Sequence, residues 1–269
     1  MAVQCHTYLL SIFTGGTMQL TWGSRPWRVW RSHWNNRGTY RGRRVTYAIL
    51  VALTLLAAIP YTTINRIAAM RGWIAFDPST QIDFDIPFLA WMVIPYLTLY
   101  FYYPAAAYLG SKDDIMWRQN IIFHQMMILS CWIAFLTFLL LPVEIDLRHL
   151  IVGVEGTRWE PWYNFLHSAD KPWNAWPSLH IVQSTQVVLI LRYWYPSTTS
   201  KRQVLHGLLL IMWLLLVLST MVIKQHYVWD VVTALMLTGL GWIYWMKPCL
   251  ENLKNEEKCK EFDEILNSD

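Results

Sequence analysis

His226 and Asp230 stand four residues apart, just after a long apolar run. Residues at this spacing share one face of a helix, so the carboxylate can hold one imidazole nitrogen while the other points outward. An imidazole oriented in this way is a nucleophile that can attack phosphorus and form a phosphohistidine. A histidine at a helix start, capped by an acid, has the same spacing, so the pair also fits a structural role.

Ser178 and His180 form a second polar group. Ser178 follows Pro177 and precedes an apolar run, which favours a helix N-cap whose free amides, beginning with Leu179, could face a phosphate. His180 lies in the first turn of that helix and could protonate a leaving alkoxide. A buried histidine that lines a helix bundle is the structural alternative.

Arg148 and Lys224 could supply positive charge. Phosphoryl transfer needs mainly positioning and neutralisation of the phosphate oxygens, which guanidinium provides bidentately and ammonium as a point charge. Either residue alone could be a snorkelling interface residue. Together the groups predict a phosphoryl-transfer site with catalytic His226, Asp230 and His180, and with phosphate-binding Arg148, Ser178, Leu179 and Lys224.

The elements that carry these residues are strongly apolar. Of 269 residues, 55% are hydrophobic and 15% are charged, too apolar a balance for an ordinary soluble domain. Five apolar runs are each close to the roughly 20 residues of a spanning helix, and a sixth, residues 175–193, is shorter, contains polar residues and is the weakest span by hydropathy. Because backbone groups in lipid must be satisfied internally, the runs predict an all-α, integral membrane six-helix bundle. The runs cover residues 47–64, 86–109, 121–141, 175–193, 205–223 and 228–246.

Basic residues set the expected orientation. Seven arginines and no acid lie between residues 25 and 44, so the N-terminus is predicted to be cytoplasmic. Six spans then put the C-terminus in the cytoplasm and the site on the periplasmic, extracellular or luminal face. The chain has no Asn-x-Ser/Thr sequon, which favours a bacterial inner membrane.

The predicted catalytic membrane domain, residues 45–247, has two flanking segments. Residues 1–44 form a basic, tryptophan-rich cytoplasmic segment, interpreted either as a topogenic anchor or as a binder of anionic headgroups with tryptophans at interface depth. Residues 248–269 form a charged tail that is expected to be a solvated cytoplasmic extension. Four scattered cysteines show no metal-ligand or disulfide spacing.

Two stretches resemble signature motifs of a known family. Pro177 to His180 and Ser219 to Asp230 resemble the second and third motifs of the type 2 phosphatidic acid phosphatase superfamily, most closely its inositol phosphorylceramide synthase branch. The stretch from Leu141 to Arg148 resembles the degenerate first motif of that branch, and residues 85–88 resemble a segment before its second span. The resemblance covers about residues 47–246.

The resemblance implies a lipid phosphatase fold with His226 as nucleophile, Asp230 as its orienting partner and His180 as general acid, and it implies no metal or other cofactor. Arg148, Ser178 and Lys224 would bind phosphate. The sequence departs from the motifs at three positions. Leu141 stands where the motif usually has lysine, Thr220 where it usually has arginine, and Leu179 where glycine is common. Lys224 is expected to replace one lost charge, and Lys171 or Arg158 could replace another.

Three functions fit these residues. The first is a lipid phosphatase that hydrolyses a phosphate monoester or diphosphate of a bilayer lipid, with no nucleic acid partner. The second is a phosphotransferase that moves a phosphoryl group or phospho-headgroup to an alcohol. Its acceptor could stack on the outer-loop tryptophans. These tryptophans could equally shield the phosphorylated intermediate from water or form an aromatic belt at the membrane interface. The third is a non-catalytic transporter or lipid-binding protein, although no repeated half is visible. The outer-loop tryptophans named under the second function are Trp159, Trp162, Trp173 and Trp176.

Overall fold

A computed structural model describes residues 23–267 of the chain. Those parts of the predicted N-terminal segment and tail that fall in residues 1–22 and 268–269 lie outside the described residues. The described part is all-helical, without β-strands. Its main helices are α1 (Arg44–Arg71), α2 (Val93–Leu97), α3 (Leu99–Leu109), α4 (Asp114–Leu140), α5 (Glu160–Ala169), α6 (Leu179–Trp194), α7 (Ser200–Val222), α8 (Val228–Asn252) and α9 (Glu256–Asn267). Shorter helices cover Arg31–Asn35, Thr39–Gly42 and Gln81–Asp85.

Four of these helices, α1, α4, α7 and α8, are long and apolar enough to cross a membrane, which indicates a membrane protein. The other two predicted spans have a different form. The second is broken into α2 and α3, which contain Pro95 and Pro104, and proline removes a backbone donor from a helix. The fourth, α6, has 16 residues, fewer than the roughly 20 of a typical span. The six-span count therefore stays a prediction.

Helices α4 and α6 form the centre of the bundle. In α4, 67% of the most apolar window is buried, compared with 22% in α1, α7 and α8. Helix α6 packs against α3, α4, α7 and α8. The contact between α6 and α8 brings Ser178 and His180, at the start of α6, to the side of Asp230 in the first turn of α8.

Side-chain caps fix where the long helices begin. The Asp113 carboxylate accepts a hydrogen bond from the Met116 amide at the start of α4, and the Thr199 hydroxyl accepts one from the Arg202 amide at the start of α7. At the start of α8, Asp230 Oδ2 accepts a hydrogen bond of 3.0 Å from the Tyr227 amide. Asp230 is thus both a helix cap and a neighbour of His226.

The tail and the N-terminal segment pack together at the end of the bundle remote from His226. Trp34 contacts Phe262 with ring centroids 5.2 Å apart, and Arg118 pairs with Asp263 at 2.7 Å. Phe262 and Leu266 are buried because their spacing of four residues gives α9 an apolar stripe. The prediction of a solvated tail is therefore wrong for α9.

Trp30 and Trp34 likewise differ from the expectation of tryptophans at interface depth. Each is only 2% exposed, and Trp30 Nε1 donates a hydrogen bond of 2.6 Å to Gln125 Oε1 of α4. Indole can be buried when its N–H finds such a partner. These two side chains therefore belong to the core of the described protein.

Candidate active site

His226 lies in the short loop between α7 and α8. The loop turns tightly because the Gln225 and His226 amides both donate to the Thr220 carbonyl oxygen. His226 Nε2 faces His180 Nδ1 at 3.3 Å, and His226 Nδ1 lies 3.4 Å from Asp230 Oδ2. His226 is 4% exposed and Asp230 is fully buried. The structure thus brings the three predicted catalytic side chains into contact.

The surroundings of His226 favour its neutral form. Burial lowers the pKa of His226 from 6.5 to about 4, and the Asp170 charge and the Ala175 carbonyl only partly oppose this effect. The imidazole is therefore neutral at neutral pH. Nδ1 faces the Asp230 carboxylate at 3.4 Å without a hydrogen bond among the described residues. A hydrogen on Nδ1, directed at Asp230, would leave the lone pair of Nε2 for attack.

His180 has a partner that the sequence did not reveal. Its Nε2 lies 2.7 Å from the hydroxyl oxygen of Tyr96 in α2, and the two ring centroids are 5.0 Å apart. Nothing in an apolar run distinguishes Tyr96 from the tyrosines that follow it. Those are Tyr100, Tyr102 and Tyr103.

Arg148 is positioned by the pairing of the two ends of the loop between α4 and α6. The Ile145 amide donates to the Pro172 carbonyl at 2.8 Å, which brings Arg148 against Asp170. Arg148 Nη2 donates to the Asp170 carbonyl at 2.7 Å and to Gln225 Oε1 at 3.2 Å. Burial lowers the pKa of Arg148 and the nearby Asp170 charge opposes that shift.

Two predicted phosphate ligands carry polar atoms without a partner. Arg148 Nε and Ser178 Oγ are both buried and make no hydrogen bond among the described residues. Ser178 occupies the N-cap of α6 as predicted, but its side chain does not form the cap bond. A buried unpaired polar group costs about 1–3 kcal/mol, so an oxygen-rich ligand at these atoms would be stabilised. Both atoms therefore fit a phosphate.

Leu179 could offer a phosphate only its backbone amide. Its side chain packs in an apolar cluster with Ala57 and Phe135. Its N–H belongs to the first turn of α6, where amides have no partner within the helix and the helix dipole favours an anion.

Lys224 is placed differently from the expectation. Its Nζ donates hydrogen bonds to the carbonyl oxygens of Asp83, at 2.7 Å, and of Ile86, at 2.6 Å. Asp83 Oδ1 in turn accepts a hydrogen bond of 2.6 Å from the Val228 amide. Lys224 therefore links residues 83–86, before α2, to the loop that carries His226, and its ammonium has two carbonyl partners rather than a free position beside His226.

Lys171 is the better placed of the two residues considered as substitutes for the missing motif charges. Burial, Arg148 and Lys171 together lower the pKa of His167 to about 4, so Lys171 lies in the same outer cluster as Arg148. Arg158 instead lies over the Trp159 ring, 4.6 Å from its centroid. Thr220, at the position of the motif arginine, donates its hydroxyl to the Val217 carbonyl in its own helix.

Asp170 is a second residue that sequence reasoning missed. Its Oδ1 accepts hydrogen bonds from the Tyr61 hydroxyl, at 2.6 Å, and from Asn65 Nδ2, at 2.7 Å, both on α1. Its charge also acts on His226 and Arg148. A single acid in a long loop carries no motif signal, so only the tertiary structure reveals this position.

Two of the outer-loop tryptophans have surroundings other than the histidines. Trp176 donates its indole N–H to Thr233 Oγ1 of α8, and Trp162 is 49% exposed. Among residues 23–267, no group of three or more His, Cys, Asp or Glu side chains is arranged to hold a metal ion.

A cavity of about 400 Å³ lies between α1 and the α2–α3 segment. Leucine, alanine and tyrosine side chains supply most of its lining, and it reaches His180 and Asp170. A mostly apolar cavity with a few convergent polar groups is typical of a small-molecule site. Its form fits an apolar chain whose polar end meets the histidines.

Comparison with known proteins agrees with these motifs. Residues 149–254 match the PAP2 superfamily model. The match includes Ser178, His180, His226 and Asp230, and it begins directly after Arg148. It supports the resemblance to the PAP2 superfamily and suggests a phosphatase or phosphotransferase activity. It does not decide whether the inositol phosphorylceramide synthase branch is the right one. No curated protein and no solved structure gives a significant match to the chain.

Proposed function

We propose that the protein is a membrane lipid phosphatase that hydrolyses a lipid phosphate monoester or diphosphate through a phosphohistidine on His226, without a metal. The observation that carries the proposal is the contact of His226 Nε2 with His180 Nδ1 at 3.3 Å, with Asp230 on the other side of His226. The unpaired Arg148 Nε and Ser178 Oγ add a place for the phosphate.

In the first half-reaction, His226 Nε2 attacks phosphorus. A nitrogen–phosphorus bond forms, the ester phosphorus–oxygen bond breaks, and His180 gives a proton to the leaving alkoxide. Arg148 and the amides at the start of α6 neutralise the phosphate oxygens. Asp230 stabilises the positive charge that develops on His226.

In the second half-reaction, water attacks the phosphohistidine. The phosphorus–nitrogen bond breaks, His180 accepts the proton of the water, and inorganic phosphate leaves. The same histidine acts first as acid and then as base, as microscopic reversibility requires.

The cavity between α1 and the α2–α3 segment supports a lipid as substrate. Its apolar lining suits a hydrocarbon tail, and it ends at His180, where the phosphate must lie. The four candidate spans support this substrate class, because such a lipid is dissolved in the bilayer that they would cross. A substrate that diffuses in the bilayer can then reach the histidines without leaving it.

Burial of the nucleophile favours a phosphotransferase as the second candidate. His226 is 4% exposed, so water has restricted access, whereas a lipid alcohol could reach the phosphohistidine through the apolar cavity. The first half-reaction is the same in both functions. Only the acceptor of the phosphoryl group differs.

The orientation is also part of the proposal. Both termini lie in the cytoplasm, and the histidines face the periplasm, extracellular space or lumen, as the basic residues indicate. Single cysteines at exposed Asn164 and Lys112, in a background without Cys5 and Cys259, would test it. A membrane-impermeant maleimide should label intact cells at position 164 and not at 112; the reverse pattern would contradict this orientation.

The activity is tested on purified wild type and His226→Ala in detergent with a chelator present. Phosphatidic acid, phosphatidylglycerophosphate and undecaprenyl diphosphate are supplied separately, and free phosphate is measured with and without an added diacylglycerol acceptor. Release by wild type and none by His226→Ala supports the phosphatase. A phosphorylated acceptor in place of free phosphate supports the transferase.

His206→Ala is the matched control, because His206 lies on α7 outside the histidine pair. It should keep the wild-type rate. If no lipid is cleaved by wild type and no acceptor is modified, or if His226→Ala keeps its activity, the proposal is wrong.

A further inference from the structure

The two nitrogens of His180 have different neighbours. Nδ1 faces His226 Nε2 at 3.3 Å, and Nε2 lies 2.7 Å from the Tyr96 hydroxyl oxygen. Tyr96 is 1% exposed and lies in an apolar cluster with Met92 of the segment before α2 and Leu166 of α5. The hydroxyl is therefore held rigidly on the side of His180 away from the nucleophile.

The two histidines also have partners of different chemistry. Asp230 is a carboxylate and only accepts hydrogen bonds when ionised, so its position 3.4 Å from Nδ1 favours the hydrogen of His226 on that nitrogen. A phenol both donates and accepts. Tyr96 can donate to a neutral His180 whose Nε2 is bare, and it can accept from Nε2–H when that nitrogen carries a hydrogen.

A general acid that later becomes a base needs such an adaptable partner. When a phosphate anion lies beside it, the charged form of His180 is favoured; this imidazolium carries hydrogens on both nitrogens before transfer, with Nε2–H donating to Tyr96. After Nδ1 gives its proton to the leaving alkoxide, Nε2–H is still held by Tyr96 and the bare Nδ1 can accept a proton from water. In the resting neutral form, Tyr96 donates to Nε2 and the hydrogen lies on Nδ1.

We propose that Tyr96 is a positioning residue that holds His180 in one orientation through both of its protonation states. This assigns a role to α2, a segment outside the three motifs that suggested the site. The proposal rests on the proposed function, in which His180 is the acid and base.

Tyr96→Phe removes the hydroxyl and keeps the ring. The variant is assayed with an alkyl lipid phosphate, whose alkoxide needs protonation to leave, and with a 4-nitrophenyl phosphate that carries an alkyl chain on its ring, whose phenolate leaves unprotonated. Since general acid catalysis contributes roughly 10²- to 10⁴-fold, partial loss of it should lower kcat/KM for the alkyl ester by about 10- to 100-fold. The aryl ester should lose less than about 3-fold.

Tyr102→Phe is the matched control. Tyr102 is also buried, and its hydroxyl has no hydrogen-bond partner among the described residues. It should leave both rates unchanged. The double variant Tyr96→Phe with His180→Ala should be no slower on the alkyl ester than His180→Ala alone, because both changes remove one function.

A second measurement does not depend on turnover. The ¹⁵N shifts of His180 should show mainly the tautomer with hydrogen on Nδ1 in the wild type and a mixed population in Tyr96→Phe. Equal losses on both esters, no loss on the alkyl ester, or an unchanged tautomer would overturn the proposal. An unaltered wild-type rate in His226→Ala would instead overturn the proposed function, and the tautomer measurement would still decide the role of Tyr96.

Discussion

Replacement of Arg148 by lysine tests the phosphate site while it keeps the positive charge. The guanidinium uses Nη2 for the Asp170 carbonyl and for Gln225, and its Nε is buried without a partner. A lysine ammonium carries its three donors on one atom and has no group at the position of Nε, so it cannot keep both of these contacts and also place a donor where Nε lies. Arg148→Lys therefore loses at least one charge-assisted hydrogen bond to the substrate.

The size of the loss follows from that bond. A hydrogen bond to a charged group contributes about 1.5–3 kcal/mol. Since about 1.4 kcal/mol corresponds to tenfold in rate, kcat/KM for the lipid phosphate should fall by about 10- to 150-fold. Arg148→Gln removes the charge as well and should fall further.

The assay is phosphate release at several substrate concentrations, with thermal unfolding of each variant as a check on folding. Arg158→Lys is the matched control, because Arg158 belongs to the same outer loop but lies over Trp159. It should stay within about 2-fold of wild type, well inside the effect of one lost hydrogen bond. If Arg148→Lys also stays within this range, Arg148 does not bind the phosphate.

Three further predictions concern the nucleophile, its partner and the tail. Because burial lowers the pKa of His226 to about 4 and attack requires the neutral ring, kcat/KM for the aryl ester, whose leaving group needs no proton from His180, should hold as the pH falls through 6.5 and decline only near pH 4, once the ionisation of the substrate has been measured by ³¹P NMR; a decline near pH 6.5 would contradict this. Asp230→Asn should keep the cap on the Tyr227 amide but slow phosphoenzyme formation by about 100-fold or more, as measured by rapid quench, and an unchanged rate would exclude Asp230 as the orienting partner. Leu266→Asp should undock α9 and destabilise the protein by about 2–5 kcal/mol in a denaturation series, whereas Glu264→Ala on the exposed side of the same helix should have little effect; equal stabilities would mean that α9 does not contribute.

Local patterns predicted the parts of the molecule that depend on local sequence. The apolar runs located α1, α4, α7 and α8, and the spacing of His226 and Asp230 predicted that they would lie together at the start of a helix. The position of Ser178 after Pro177 predicted the start of α6. Each of these features is fixed within a few residues of the chain.

Features that depend on distant contacts were missed. The hydrogen bond between Tyr96 and His180 joins residues 84 positions apart, and Asp170 reaches its α1 partners over more than 100 positions. Lys224 was expected to bind phosphate because its carbonyl partners, Asp83 and Ile86, lie about 140 positions earlier in the chain and could not be foreseen. The buried positions of Trp30 and Phe262 were missed because the many charged residues around them suggested solvent-exposed segments. The apolar side chains that pack against other helices are a minority in each segment.

Trapping of the covalent intermediate is the most direct test of the central claim. Wild type, His226→Ala and His180→Ala are mixed with a ³²P-labelled lipid phosphate, quenched in alkali and digested, and the label is located by mass spectrometry. Stable label on His226 in the wild type, slower labelling in His180→Ala and none in His226→Ala are predicted. A wild type that turns over substrate without labelled histidine, or label that persists in His226→Ala, would contradict the account.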